Sequence, residues 1–103
     1  MTLSEFQGLL TAVGPKVYHY ASDLQDYPYI AYTEYDEGKL EADNQEQAVY
    51  DLVQVDYYTL ADGDPVKARI RKLLNENEIT FEYKIIREQG NGVFHHVFDC
   101  SLL

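Results

Sequence analysis

The stretch Gln47-Ala48-Val49-Tyr50-Asp51-Leu52-Val53-Gln54-Val55-Asp56-Tyr57-Tyr58-Thr59 decides the fold class. Val49, Val53, Val55 and Tyr57 share one face of an extended chain, with Asp51 interrupting near the start. Tyr50, Leu52, Gln54, Asp56 and Tyr58 form the other face. A repeat of two is the period of a strand, and a strand face this apolar needs a second layer against it. The Val-rich face is expected to pack the core. The mixed Tyr50, Gln54, Asp56 and Tyr58 face is expected to meet solvent or a partner.

Upstream, residues 38–46 are the one long polar segment, with Leu40 its single large apolar residue. The segment is longer than a tight turn needs, so it is expected to be an exposed, acidic, mobile hairpin loop. Residues 28–37 alternate again, Tyr29, Ala31, Thr33 and Tyr35 against Ile30, Tyr32 and Glu34. Pro28 suits a strand's first residue, where a missing N–H costs least. A short extended piece at 16–20 and a polar connection at 21–27 precede it. The chain starts with a helix near 2–13, where Leu3, Phe6, Leu10 and Val13 repeat at three and four. Thr2 with Glu5 fits a capping box, and Gly14-Pro15 ends the helix.

Downstream, Asp64 is a good N-cap and Pro65 suits the first position of a helix over 65–76. Val66, Ile70, Leu73 and Leu74 mark its buried stripe. Residues 80–88 and 93–102 alternate on either side of Gln89-Gly90-Asn91-Gly92 and make a hairpin. The element order is α-β-β-β-α-β-β. The expected architecture is α+β, a mostly antiparallel sheet with two helices on one face, in a single domain spanning 1–103.

Eight basic against eighteen acidic residues give a net charge of −10, and the excess is uneven. Residues 1–61 hold two basic and eleven acidic groups, whereas residues 62–103 hold six and seven. So acidic a chain repels phosphates, which argues against sequence-specific nucleic-acid binding and against anionic membranes. Apolar runs are too short to span a bilayer, and MTLSEFQGLL lacks the basic start of a signal peptide. With Cys100 as the lone cysteine, synthesis in a reducing cytoplasm is expected. Nine of the ten tyrosines lie between Tyr18 and Tyr58. Tyrosines in such numbers either cover a half-buried sheet or form a protein-binding surface.

Little in the sequence points to catalysis. His95 and His96 are adjacent on a strand, so they face opposite ways and one ion cannot easily take both. His95 shares a face with Asp99, but four strand residues separate them by roughly 13 Å. Cys100 falls on an apolar alternation and reads as a buried, inert thiol. Asp36, Glu37, Glu41, Asp43 and Glu46 lack the spacing of a calcium loop and read as a solvated charge run. No phosphate loop, nucleophile elbow or metal motif occurs, so no catalytic residue, cofactor or metal ligand is assigned.

The run Tyr27-Pro28-Tyr29-Ile30-Ala31-Tyr32, then Ala42-Asp43-Asn44, then Tyr50 through Val55-Asp56-Tyr57-Tyr58-Thr59, then Asp62 to the helix, resembles small tail-completion proteins. These belong to long-tailed bacteriophages and prophages and are also called tail-terminator or head–tail joining proteins. The resemblance covers most of the chain. It implies a non-enzymatic virion protein of the tail or neck. Such a subunit forms a ring, commonly a hexamer, that caps the tail tube and meets the head connector. Lys39, Leu40, Glu41, Asp43, Asn44 and Glu46 are then the expected assembly loop, lining a channel or contacting the tube. The strand face of Tyr50, Gln54, Asp56 and Tyr58 is the expected interface. The chain is short for the group and has no obvious basic docking segment. The alternative is an acidic protein-binding regulator that mimics nucleic acid. A mimic is expected to set its carboxylates in regular rows, whereas here they gather around one loop and its flanking strands.

Overall fold

The computed structural model describes residues 1–20, 26–40, 48–87 and 90–102. Helix α1 (Leu3–Thr11) starts at a complete capping box. The Glu5 N–H donates to Thr2 Oγ1 at 3.1 Å, and the Thr2 N–H donates to Glu5 Oε1 at 3.2 Å. The helix stops two residues short of the expected end, but Val13 still reaches the core through a last-turn bond to Leu10. Strand β1 (Lys16–His19) follows, then β2 (Tyr29–Leu40) and β3 (Ala48–Thr59). Helix α2 (Pro65–Glu76) leads into β4 (Thr80–Arg87) and β5 (Phe94–Leu102). The order α-β-β-β-α-β-β stands as expected.

The five strands lie in the order β1-β2-β3-β5-β4. Every pair is antiparallel except β1 with β2, whose parallel pairing no local pattern of residues announces. Strands β3 and β4 run the same way with β5 between them, so α2 is the crossover that carries the chain across the sheet. Both helices sit on one face. Phe6 and Leu10 of α1 and Val66, Ile70 and Leu74 of α2 pack on Ile30, Tyr32, Val53, Val55, Tyr57, Phe98, Cys100 and Leu102. Ile70 and Leu74 are fully buried, which matches the stripe read from the sequence.

The polar segment 38–46 needs a correction. Gly38, Lys39 and Leu40 are not loop but the end of β2, paired with Tyr50, Val49 and Ala48. Strand β5 ends at the Asp51–Leu102 pair, so among the described residues this part of the hairpin is a two-stranded arm. The ring of Tyr50 occupies the space that a side chain at 38 would fill. Val49, expected in the core, lies on the arm and is 55% exposed. Glu41, Asp43, Asn44 and Glu46, and with them the expected mobility of the loop, lie outside the described residues.

Candidate interaction surface

The face of the sheet opposite the helices is built by alternation. Tyr18 of β1, Tyr29, Ala31 and Thr33 of β2, Gln54, Asp56 and Tyr58 of β3, and His95 and Val97 of β5 all point to it. Register then stacks rings across three strands. Tyr29 lies on Tyr58 at 4.8 Å between centroids, and Tyr58 lies on His95 at 4.2 Å. Tyr27 extends the stack beyond Tyr29 at 5.8 Å, and Tyr18 meets Tyr29 edge-on at 6.0 Å. Such ring pairs contribute beyond the area they bury. They also explain why Tyr29 is buried on a face that has no helix over it.

Beside the stack is a polar cluster. Asp56 Oδ1 accepts from His95 Nε2 at 2.6 Å and from Gln54 Nε2 at 2.8 Å. An ionised carboxylate only accepts, so this geometry places a hydrogen on His95 Nε2. Part of the face expected to meet solvent or a partner is thereby covered. Asp56 is 8% exposed and Tyr58 is half-buried, because β5 delivers His95 across them. The carboxylate that meets His95 comes from the neighbouring strand, not from Asp99 on its own. The strand neighbours of His95 are Tyr58 and Ile86.

His96 points the other way, as adjacent strand residues must. Its Nδ1 is 2.7 Å from the Tyr83 hydroxyl, and burial, helped by Lys67, holds its pKa below the ordinary histidine value. The same side holds the anchor of α2. Asp64 Oδ1 caps Val66 N–H at 2.7 Å, while Asp64 Oδ2 accepts from the hydroxyls of Tyr57 at 2.6 Å and Thr59 at 3.0 Å. Burial works against the Asp64 anion, but these donors outweigh it and keep its carboxyl below the usual range. A cavity of about 160 Å³ lies here between Asp62, Lys67, Ile85 and His96. Cys100 is fully buried in the core, and desolvation pushes its thiol up to about 12, far from a reactive thiolate.

His19 joins neither of the other histidines. It is sandwiched between Tyr20 at 3.9 Å and Tyr32 at 4.6 Å, and Glu34 accepts from both His19 Nε2 and the Tyr20 hydroxyl. Burial raises the Glu34 pKa, and the bond from His19 overrides it, so the carboxyl sits below its ordinary value. Tyr20 adopts φ +63°, a conformation costly for a bulky residue, and is held there by Glu34 and by its N–H bond to Tyr32 O. The sequence did not point to this cluster, because only the parallel β1 pairing brings His19 beside Tyr32.

Of the expected site residues, Gln54, Asp56 and Tyr58 come together with His95, while Tyr50 and Lys39 stand apart on the arm. Among the described residues no three potential metal ligands converge. No helix there is long and apolar enough to cross a membrane.

Taken together these features define a small α+β domain, a mixed five-stranded sheet with helices on one face and stacked rings on the other. The fold is similar to that of a chain in a solved structure titled "Virion of native gene transfer agent (GTA) particle". The TM-score is 0.55 at 16% identity, over 91% of this chain and 83% of that one. No protein-family model matches the chain. No curated protein matches it either.

Proposed function

We propose that this chain is a non-enzymatic structural subunit of a phage-type virion, acting in tail completion or head–tail joining as one member of a ring that caps the tail tube. The observation that carries this is the likeness of fold over 91% of the chain to a chain of a gene transfer agent virion. It agrees with the tail-completion resemblance of Tyr27–Tyr32 and of the β3 strand. Each histidine is tied to a tyrosine or a carboxylate by a hydrogen bond, the kind of pairing a structural subunit uses to fix its side chains.

Six copies at −10 each carry about −60, so self-repulsion must be screened before a ring closes. Rings are therefore expected to form poorly at low salt without a partner, and better as salt rises or when tail tubes are added. Sedimentation across a salt series, with and without purified tail tubes, tests this. The comparison is between the wild type and a variant with Glu41, Asp43 and Glu46 neutralised. If no oligomer or tail binding appears under any condition and neutralisation changes nothing, the tail-completion function fails and the acidic regulator takes its place.

A further inference from the structure

Among the described residues the sheet has two open edges. Strand β4 pairs there with β5 on one side only. Strand β2 pairs outward with β1 only over Tyr29–Tyr32, so of its twelve residues the eight at 33–40 have no outer partner among the described residues. Strand β4 is also eight residues long. A length of eight residues is about 26 Å of strand on each edge. Exposed rows of backbone N–H and C=O groups are templates for another strand.

We propose that copies of this chain join head to tail, with the β4 edge of one adding to the outer 33–40 edge of β2 in the next. This rests on the ring function above and supplies its subunit contact. Strand direction permits it. Strand β2 is antiparallel to β3, β3 to β5, and β5 to β4, so β2 and β4 run in opposite directions. A copy related by rotation about an axis along the strands then presents β2 antiparallel to β4, and the sheet continues from subunit to subunit. A contact between two different patches generates a ring when the rotation closes.

Charge selects this pairing over the alternatives. Helix α2 and β4 together carry Lys67, Arg69, Arg71, Lys72, Lys84 and Arg87 against Glu76 and Glu82. The free half of β2 carries Glu34, Asp36 and Glu37 against Lys39. Two β4 edges meeting on a two-fold axis would bring the cationic margins together, and two β2 edges would do the same with carboxylates. Like charges placed across a strand pair destabilise it, and opposite charges stabilise it. With 36–40 of β2, beyond the bulge at residue 35, set against 80–84 of β4, Lys84 falls opposite Asp36. Both point to the helix-free side, Lys84 beside Val97 and Asp36 beside Leu52, and both are exposed in the single copy.

The test is a disulfide between copies. An Asp36→Cys, Lys84→Cys double variant is oxidised in the salt range where the wild type sediments as an oligomer, and run without reductant. The expected result is a ladder whose top rung counts the copies in the ring, collapsing on reduction. Each single variant should give at most a dimer. Cys100 is buried and stays silent. Because a cysteine variant can misassemble, the charge exchange is the second measurement. Lys84→Asp should weaken the oligomer about tenfold, and Asp36→Lys added to it should restore most of that loss. Oligomers of full size on native mass spectrometry without a 36–84 disulfide, and with no rescue, would overturn the edge contact and leave the ring function standing. Absence of any oligomer, with or without tail tubes, would remove both.

Discussion

Replacing Asp64 by alanine removes three acceptor contacts that tie helix α2 to strand β3. One is the cap on the Val66 N–H, and a cap of this kind contributes about 1 kcal/mol. The second accepts from Tyr57, whose side chain is fully buried, so its hydroxyl is left without its acceptor at a cost of about 1–3 kcal/mol. The third accepts from Thr59, which keeps a bond from the Ala61 N–H to its own oxygen and loses less. Since the three share one carboxylate they do not add fully, and Asp64→Ala should destabilise by about 2–4 kcal/mol. For a domain of this size that is about 10–20 °C in Tm. Acid supplies an independent check. The folded Asp64 carboxyl sits below its unfolded value, so its contribution is present above about pH 4 and is lost as pH falls through the folded value. The gap between wild type and Asp64→Ala should be widest near neutrality and shrink on titration towards pH 2. Asp64→Asn, which keeps an acceptor but no charge, should show a smaller and nearly pH-independent loss. Thermal melts followed by circular dichroism at pH 7, 5, 4 and 3 measure all three proteins. A gap below about 0.5 kcal/mol at pH 7, or one that does not change on acidification, would refute the assignment of Asp64 as the charged anchor of α2.

Ile70→Ala should cost about 2–5 kcal/mol in chemical denaturation, since Ile70 is fully buried between α2 and the sheet; a loss under half a kcal/mol would mean that the stripe does not face the core. A double-mutant cycle of Asp56→Ala and His95→Phe should give a coupling of about 1 kcal/mol or more, because phenylalanine keeps the stack on Tyr58 but donates nothing to the carboxylate. Additivity of the two changes would show that the pair contributes nothing beyond packing.

How much of this was legible in the sequence depends on how local the cause is. The capping box at Thr2 and Glu5, the Asp64-Pro65 helix start and the period-two runs of β3 and β5 are each set within a few residues, and each appears where the sequence places it. Features that depend on which strand lies beside which were hidden. The parallel β1–β2 pair is one. Another is the interposition of β5 between β3 and β4, which puts His95 over Asp56 and turns an expected open face into a closed cluster. The Tyr29, Tyr58 and His95 stack needed the same register, since alternation tells which residues share a face but not which of them touch. The arm at 38–40 misled for a further reason. Polarity distinguishes a strand from a loop only where one face is buried, and on the arm even Val49 is 55% exposed.

The distribution of satisfied and unsatisfied groups bears directly on how such a subunit can assemble. The helix-covered face packs the core, and at the centre of the opposite face Asp56 is already paired with His95 and Gln54. A surface that has already paired its polar groups and stacked its rings gains less from a partner than one that has not. The capacity that remains is at the margins, in the β4 edge, the outer half of β2 and the arm. The charge is divided along the same line, with the chain's acid excess on the β1–β2–β3 side and its cations on α2 and β4. A subunit whose two margins carry opposite charge and free backbone groups is complementary to its own copy only when the unlike margins meet. That is a head-to-tail relation, and it leaves the ring-stacked face free to contact something other than a second copy.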